Sequence, residues 1–147
     1  MKTVCQLNQC AGCMACVDIC PKGAITIEDN LAAYNAVIDE NKCIGCNACH
    51  KVCQSNNPAK QISPIKWYQG WAEVSEVRKH SSSGGIATAI SQAFIESGGI
   101  VCSCTFYDGE FIFEFAERIE VLNKFAGSKY VRSNPKGIYK SVKEYLK

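Results

Sequence analysis

The stretch "CAGCMACVDICP", Cys10 to Pro21, decides how this chain is read: four cysteines with two, two and three residues between them, closed by a proline. The same figure returns. Cys10, Cys13, Cys16 and Cys20 recur as Cys43, Cys46, Cys49 and Cys53, each 33 positions on, and Gly12 and Ala15 recur as Gly45 and Ala48. An internal repeat that preserves the small residues as well as the thiols is read before anything else. Nine of the eleven cysteines lie between Cys5 and Cys53; only Cys102 and Cys104 lie beyond.

The rest of the composition belongs to a folded protein. The chain has 147 residues, 47% hydrophobic and 20% charged, with a net charge of +2. That balance argues against nucleic acid or an anionic membrane as partner, since both require a strongly basic face. No apolar run approaches the roughly 18 residues of a transmembrane helix, so membrane insertion is not expected. The start, "MKTVCQLNQC", lacks the apolar stretch of a signal peptide. The expectation is therefore a cytoplasmic protein with reduced thiols, in which many cysteines mean metal or catalysis rather than disulfides.

The spacing points to iron–sulfur chemistry. Three thiolates at C-x2-C-x2-C wrap a loop around one face of an iron–sulfur cube, and small residues between them let backbone N–H groups approach the sulfides. The fourth cysteine points away on a short helix and ligates the other cluster. Cys10, Cys13, Cys16 and Cys53 would then hold one [4Fe–4S] cluster, and Cys43, Cys46, Cys49 and Cys20 the second. Zinc is the rival, but zinc sites use paired cysteines or Cys/His mixtures, and His50 replaces no cysteine here. Cys5 stands outside the set. Its repeat partner is Ile38 in the apolar run "NAVID", so it reads as a buried strand residue. Pro21 ends the first helical turn ahead of a strand over Ala24 to Asp29; at the corresponding place the second motif has Gln54.

After Cys53 the text changes. "QSNNPAKQISPIK", Gln54 to Lys66, has linker composition. A strand is expected over Trp67–Val74, then a helix carrying Ile86, Ile90, Ala93, Phe94 and Ser97 on one face, with Ser83 as N-cap and Gly98–Gly99 as its stop. "IVCSCTF" alternates, with Ile100, Cys102, Cys104 and Phe106 turned to one side, and core positions are expected for the two thiols. "FIFEF", Phe111 to Phe115, is a further strand. The last helix puts Ile138, Val142 and Tyr145 opposite Lys136, Lys140, Lys143 and Lys147. Strand–helix–strand order implies an α/β or α+β unit. Ser81-Ser82-Ser83-Gly84-Gly85 admits two readings: an anion site at a helix start, helped by Arg78, Lys79 and His80, or a plain capped helix after a polar turn. The basic end of the chain is likewise either a contact for phosphate or an acidic partner, or the solvated face of the last helix.

Residues 1 to about 60 resemble a bacterial-type two-[4Fe–4S] ferredoxin domain, through the eight cysteines and both repeated glycines. Trp67 to Lys147, with "SSSGGI" and "GSKYV", is similar to the N-terminal part of the coenzyme F420 hydrogenase/dehydrogenase beta-subunit family. The resemblance implies an α+β chain of two domains, 1–60 ferredoxin-like with two clusters and 61–147 a partial α/β flavin domain. It further implies FAD or FMN, with Ser81, Ser82, Ser83, Gly84, Gly85, Gly127, Ser128, Lys129 and Tyr130 as candidate flavin contacts. Members of that family usually continue further, so a truncated flavin domain is expected. No acid, base or nucleophile constellation stands out around the two histidines.

Three functions follow. The first is the electron-input half of an oxidoreductase, in which clusters relay single electrons to a flavin that stores two and a redox protein or small acceptor takes them. The second is a ferredoxin-type carrier with a docking domain. The third is a structural role for the clusters, which two neighbouring clusters favour less than electron transfer.

Overall fold

The 33-residue repeat is also a repeat of backbone. The computed structural model describes Met1–Lys147. In it Gly12 and Gly45 take φ of 69° and 68°, and Met14 and Asn47 take φ of 57° and 58°. Helices α1 (Ala15–Ile19) and α2 (Ala48–Val52) follow, and Cys20 and Cys53 each leave their helix extended at φ −73°. A left-handed L-residue costs roughly 1–2 kcal/mol, and here it starts a helix. The Met14 carbonyl accepts from Val17 and Asp18, and the Asn47 carbonyl accepts from Lys51. No Cβ clash surrounds Gly45; glycine serves there for its φ, not for space.

Between the repeats lie β1 (Ile25–Asp29) and β2 (Tyr34–Ile38), antiparallel, with Ile25 opposite Ile38 and Ile27 opposite Ala36. Val4, Cys16, Ile25, Ala36 and Ile38 make the core, and cysteines of both motifs pack against it. The first residues run beside β2 through Ile38 N–H to Lys2 O and Val4 N–H to Ala36 O. Cys5 is buried as expected but is not in a strand. The Thr3 hydroxyl donates to Cys5 O at 2.7 Å, a local bond that competes with the ladder and bends the chain away.

By contacts the chain divides into two units, Met1–Ile62 with Pro135–Lys147, and Ser63–Asn134. A division near residue 60 assigns the last helix, α5 (Ile138–Tyr145), to the second part of the chain. In the structure it packs with the first unit, because the buried Asp18 carboxylate accepts from Gly137 N at 2.8 Å and Tyr139 N at 3.1 Å.

The second unit holds α3 (Ser75–Lys79), α4 (Ile86–Glu96), the hairpin β3 (Val101–Tyr107) and β4 (Glu110–Ala116), and a 3-10 helix at Ile119–Phe125. Asp108 and Gly109 turn the hairpin, both with positive φ, as a two-residue primed turn requires. Three expectations change. Trp67–Val74 is not a strand: no neighbour pairs with it along its length, and Trp67, Tyr68 and Trp71 are exposed. Only Ala72 is buried, its N–H bonded to Gly84 O at 2.7 Å. The N-cap of α4 is Gly85, not Ser83, at φ 78° and without a side-chain cap bond. In β3 the fully buried residue is Thr105, while Phe106 is exposed and Cys102 and Cys104 are only half-buried. The protein is α+β, with two separate two-stranded antiparallel sheets. No helix is long and apolar enough to cross a membrane.

Candidate iron–sulfur centres and a serine–glycine hollow

Two hollows open in the first unit. Cys10, Cys13, Cys16 and Cys53 line one, together with Cys5. Cys20, Cys43, Cys46 and Cys49 line the other. Each hollow thus receives three thiols from one motif and the fourth from its repeat. In each hollow the four thiols line one space. Burial pushes the Cys16 thiol up to about 12, and the charges of Cys10, Cys13 and Cys53 add to it. Burial also raises Cys49; the backbone N–H groups of His50 and Cys49 oppose this, while Cys20 and Cys43 reinforce it. Crowded thiols resist ionising alone, and bound cations invert that logic and hold them as thiolates. The donor sets fit [4Fe–4S] clusters.

Cys5 is a ninth thiol, pushed up to about 11 by burial and then by Cys53 and Cys10. Its place beside the first hollow was not apparent from its strand-like context.

Several polar side chains fix the cysteine loops. Buried Asn35 accepts from Asn8 N at 2.7 Å and donates to the Asn8 side chain at 3.2 Å, which pins the turn before Cys10. Backbone N–H groups of Gly12 and Ala24 reach Cys10 Sγ and Cys20 Sγ at 3.4 and 3.3 Å. Such N–H···S bonds are among the levers on cluster potential. Where Gln54 replaces a proline, the Asn57 amide closes α2 instead, donating to the carbonyls of His50, Lys51 and Cys53 at 2.7, 3.1 and 3.1 Å. Burial first, then the neighbouring Cys13, Asp18 and Cys16, hold the phenol of Tyr139 on α5 above the usual range. Sequence reasoning missed Asn35, Asn57, Asp18 and Tyr139. For Asp18 a signal existed: a carboxylate stands among four cysteines where the repeat has Lys51.

In the second unit a hollow is lined by Ser81, Ser82, Ser83, Gly84 and Gly85 from one side and by Gly127 and Ser128 from the other. The Ser128 N–H donates to Ser82 Oγ at 2.9 Å, which ties the two segments together. A Cβ on Gly84 would approach Gly70 O and Trp71 Cβ at 3.2 Å, so the loop lies close against that segment. Two of the nine residues considered as flavin contacts stand apart. Tyr130 is 94% exposed, and neither it nor Lys129 lines the hollow. The Lys129 ammonium donates instead to Phe125 O and Ala126 O at 2.8 and 2.9 Å. The neighbouring cations are also engaged locally: Arg78 lies 6.0 Å from the Trp71 ring centroid and Lys79 pairs with Glu76 at 2.6 Å.

Paired thiol hollows of this kind define a dicluster iron–sulfur protein of the electron-transfer class. Residues 9–57 match the 4Fe-4S dicluster domain family, and residues 67–136 match the coenzyme F420 hydrogenase/dehydrogenase, beta subunit N-terminal family. No curated protein matches the chain. The chain is therefore a two-[4Fe–4S] ferredoxin domain followed by the N-terminal part of a beta-subunit-like domain of that hydrogenase/dehydrogenase family.

Proposed function

We propose that this chain is the electron-input part of a flavin-dependent oxidoreductase, passing single electrons through two [4Fe–4S] clusters to FAD or FMN. Cys10, Cys13, Cys16 and Cys53 hold the first cluster and Cys43, Cys46, Cys49 and Cys20 the second. The observation that carries this reading is the lining of each hollow by one of these sets of four thiols. The clusters supply one-electron chemistry when bound. The chain's own residues exclude water with the Val4–Ile38 core and present N–H groups to Cys10 and Cys20. Support for a flavin in the second unit comes from the hollow that joins Ser81–Gly85 to Gly127–Ser128; its hydroxyls and free glycine N–H groups suit a phosphate or ribityl chain. A protein or small-molecule redox partner completes the circuit, in the reducing cytoplasm that suits free thiols.

The test is flavin released from anaerobically purified, cluster-loaded chain, measured by fluorescence. Bound flavin that is lost on Gly85→Ala, a substitution strained at φ +78°, is the expected result. Loaded clusters without flavin, even after incubation with FAD and FMN, would reduce the protein to a ferredoxin-type carrier with a docking domain.

A further inference from the structure

Helix α1 has five residues and serves both hollows: Cys16 lies within it and lines the first, and Cys20 caps it and lines the second. A helix this short does not hold itself together in water, so α1 takes its order from what it packs against and from what its thiols hold. Asp18 stands between those two cysteines and is only 8% exposed. Its two oxygens accept from Gly137 N at 2.8 Å and Tyr139 N at 3.1 Å. These N–H groups open α5, which has no side-chain cap of its own. An anion is favourable there, because the first N–H groups of a helix find no partner within it. The eight residues of α5 are also too few to stand alone. The two short helices therefore depend on one another through a single carboxylate. Lys51 holds the position of Asp18 in the other motif, exposed and unable to accept any such bond.

We propose that Pro135–Lys147 is a retaining strap for the iron: docked on Asp18, it keeps α1 ordered and so keeps one ligand of each cluster in place. This rests on the ligand assignment given above. Whenever α1 opens, Cys16 leaves one thiol set and Cys20 leaves the other, so a single local opening exposes both centres. The strap opposes that opening without touching metal. The dependence runs both ways, since whatever favours ordered α1 favours the docked strap, and coupling of this kind is reciprocal. Loaded clusters order α5, and α5 in turn slows the loss of iron. Asp18 is here a positioning residue, acting on the ligands through the helix that carries it. The second motif has no strap, because Lys51 offers the start of a helix nothing to bond.

Two readouts on the anaerobic, cluster-loaded full chain test the strap: amide hydrogen exchange, and the rate at which a ferrous chelator takes up iron. Asp18→Asn keeps the side chain's shape but turns an N–H donor toward the start of α5. In it the Tyr139 amide should lose protection while the amides of β1 and β2 keep theirs, and iron should leave roughly fivefold faster or more. Gly137→Ala attacks the strap from its own end, far in sequence from every thiol. It is strained at φ +86° although a Cβ there meets nothing within 4 Å, and it should give the same two changes even if Asp18→Asn fails to load. Lys51→Ala should release iron at the parent's rate. Unchanged Tyr139 protection in both strap variants would overturn the anchor. Parent-like release from a variant that has lost that protection, or equal acceleration in Lys51→Ala, would overturn the strap. A parent preparation lacking iron and sulfide refutes instead the ligand assignment on which the strap depends.

Discussion

Between Cys10 and Cys20 the chain makes the same turn as between Cys43 and Cys53, to within a few degrees at the glycines and at the helix starts. The surroundings differ. Helix α1 buries Cys16 and Asp18 while α2 buries no residue, and Cys13 is half-buried where its counterpart Cys46 is exposed. Pro21 follows the first motif; in the second, Asn57 closes the helix with three bonds. Identical ligand spacing therefore fixes the loop that meets the metal, and the residues around it are left to make two unlike centres. Burial and hydrogen bonds to sulfur are what separate cluster potentials.

The strongest way to break this comparison is to remove the thiols that the motifs exchange. Cys20→Ala should cost about half the iron, from the centre held by Cys43, Cys46 and Cys49, and spare the one around Cys16; Cys53→Ala should do the reverse. Metal analysis with resonance spectra of both variants checks this, and loss of the nearer centre alone in Cys20→Ala would contradict the crossed arrangement. Next in size is stripping the iron with a chelator. The first unit has a five-residue core and crowded thiols that resist ionising without cations. Its circular dichroism and melting transition should collapse together, as metal binding there is folding energy; an unaltered melt would show that the core stands alone.

Smaller effects sharpen the contrast. Asp18→Ala strands two N–H groups of α5 and should destabilise the first unit by about 1–3 kcal/mol, whereas Lys51→Ala at the matching position should change stability by less than about 0.5 kcal/mol. Denaturation midpoints of the two variants decide it, and equal midpoints would remove the asymmetry. Asn57→Ala should cost about 1 kcal/mol through the uncapped carbonyls of α2. Thermal melting reads that change, and a melt like the parent's would mean that water replaces the amide without loss.

The repeat that puts four thiols around each hollow was legible from sequence because residue spacing is a covalent constraint: three thiols two residues apart on one loop have few ways to turn apart. The hairpin strands and α4 were legible from periodicity. Asp18 stands out as a carboxylate among cysteines, but its role was not legible, since its hydrogen-bond donors lie 119 and 121 residues away. Trp67–Val74 misled because its aromatic residues suit a strand but sequence does not show whether a partner strand lies beside it. The Ser83 cap failed for a related reason. Gly85 enters the helix at a φ that glycine alone takes easily, and Ser82 accepts instead from Ser128, a partner 46 residues on. The serine–glycine stretch and "GSKYV" were both visible as motifs, but only the fold shows that Gly127 and Ser128 share a hollow with Ser81–Gly85 while Tyr130 turns to solvent.

The most direct measurement is the metal and sulfide content of one anaerobically purified sample of the full chain. The account predicts about eight iron and eight acid-labile sulfide per chain, with the zinc content negligible. Stoichiometric zinc without labile sulfide, held by the same thiols, would contradict it.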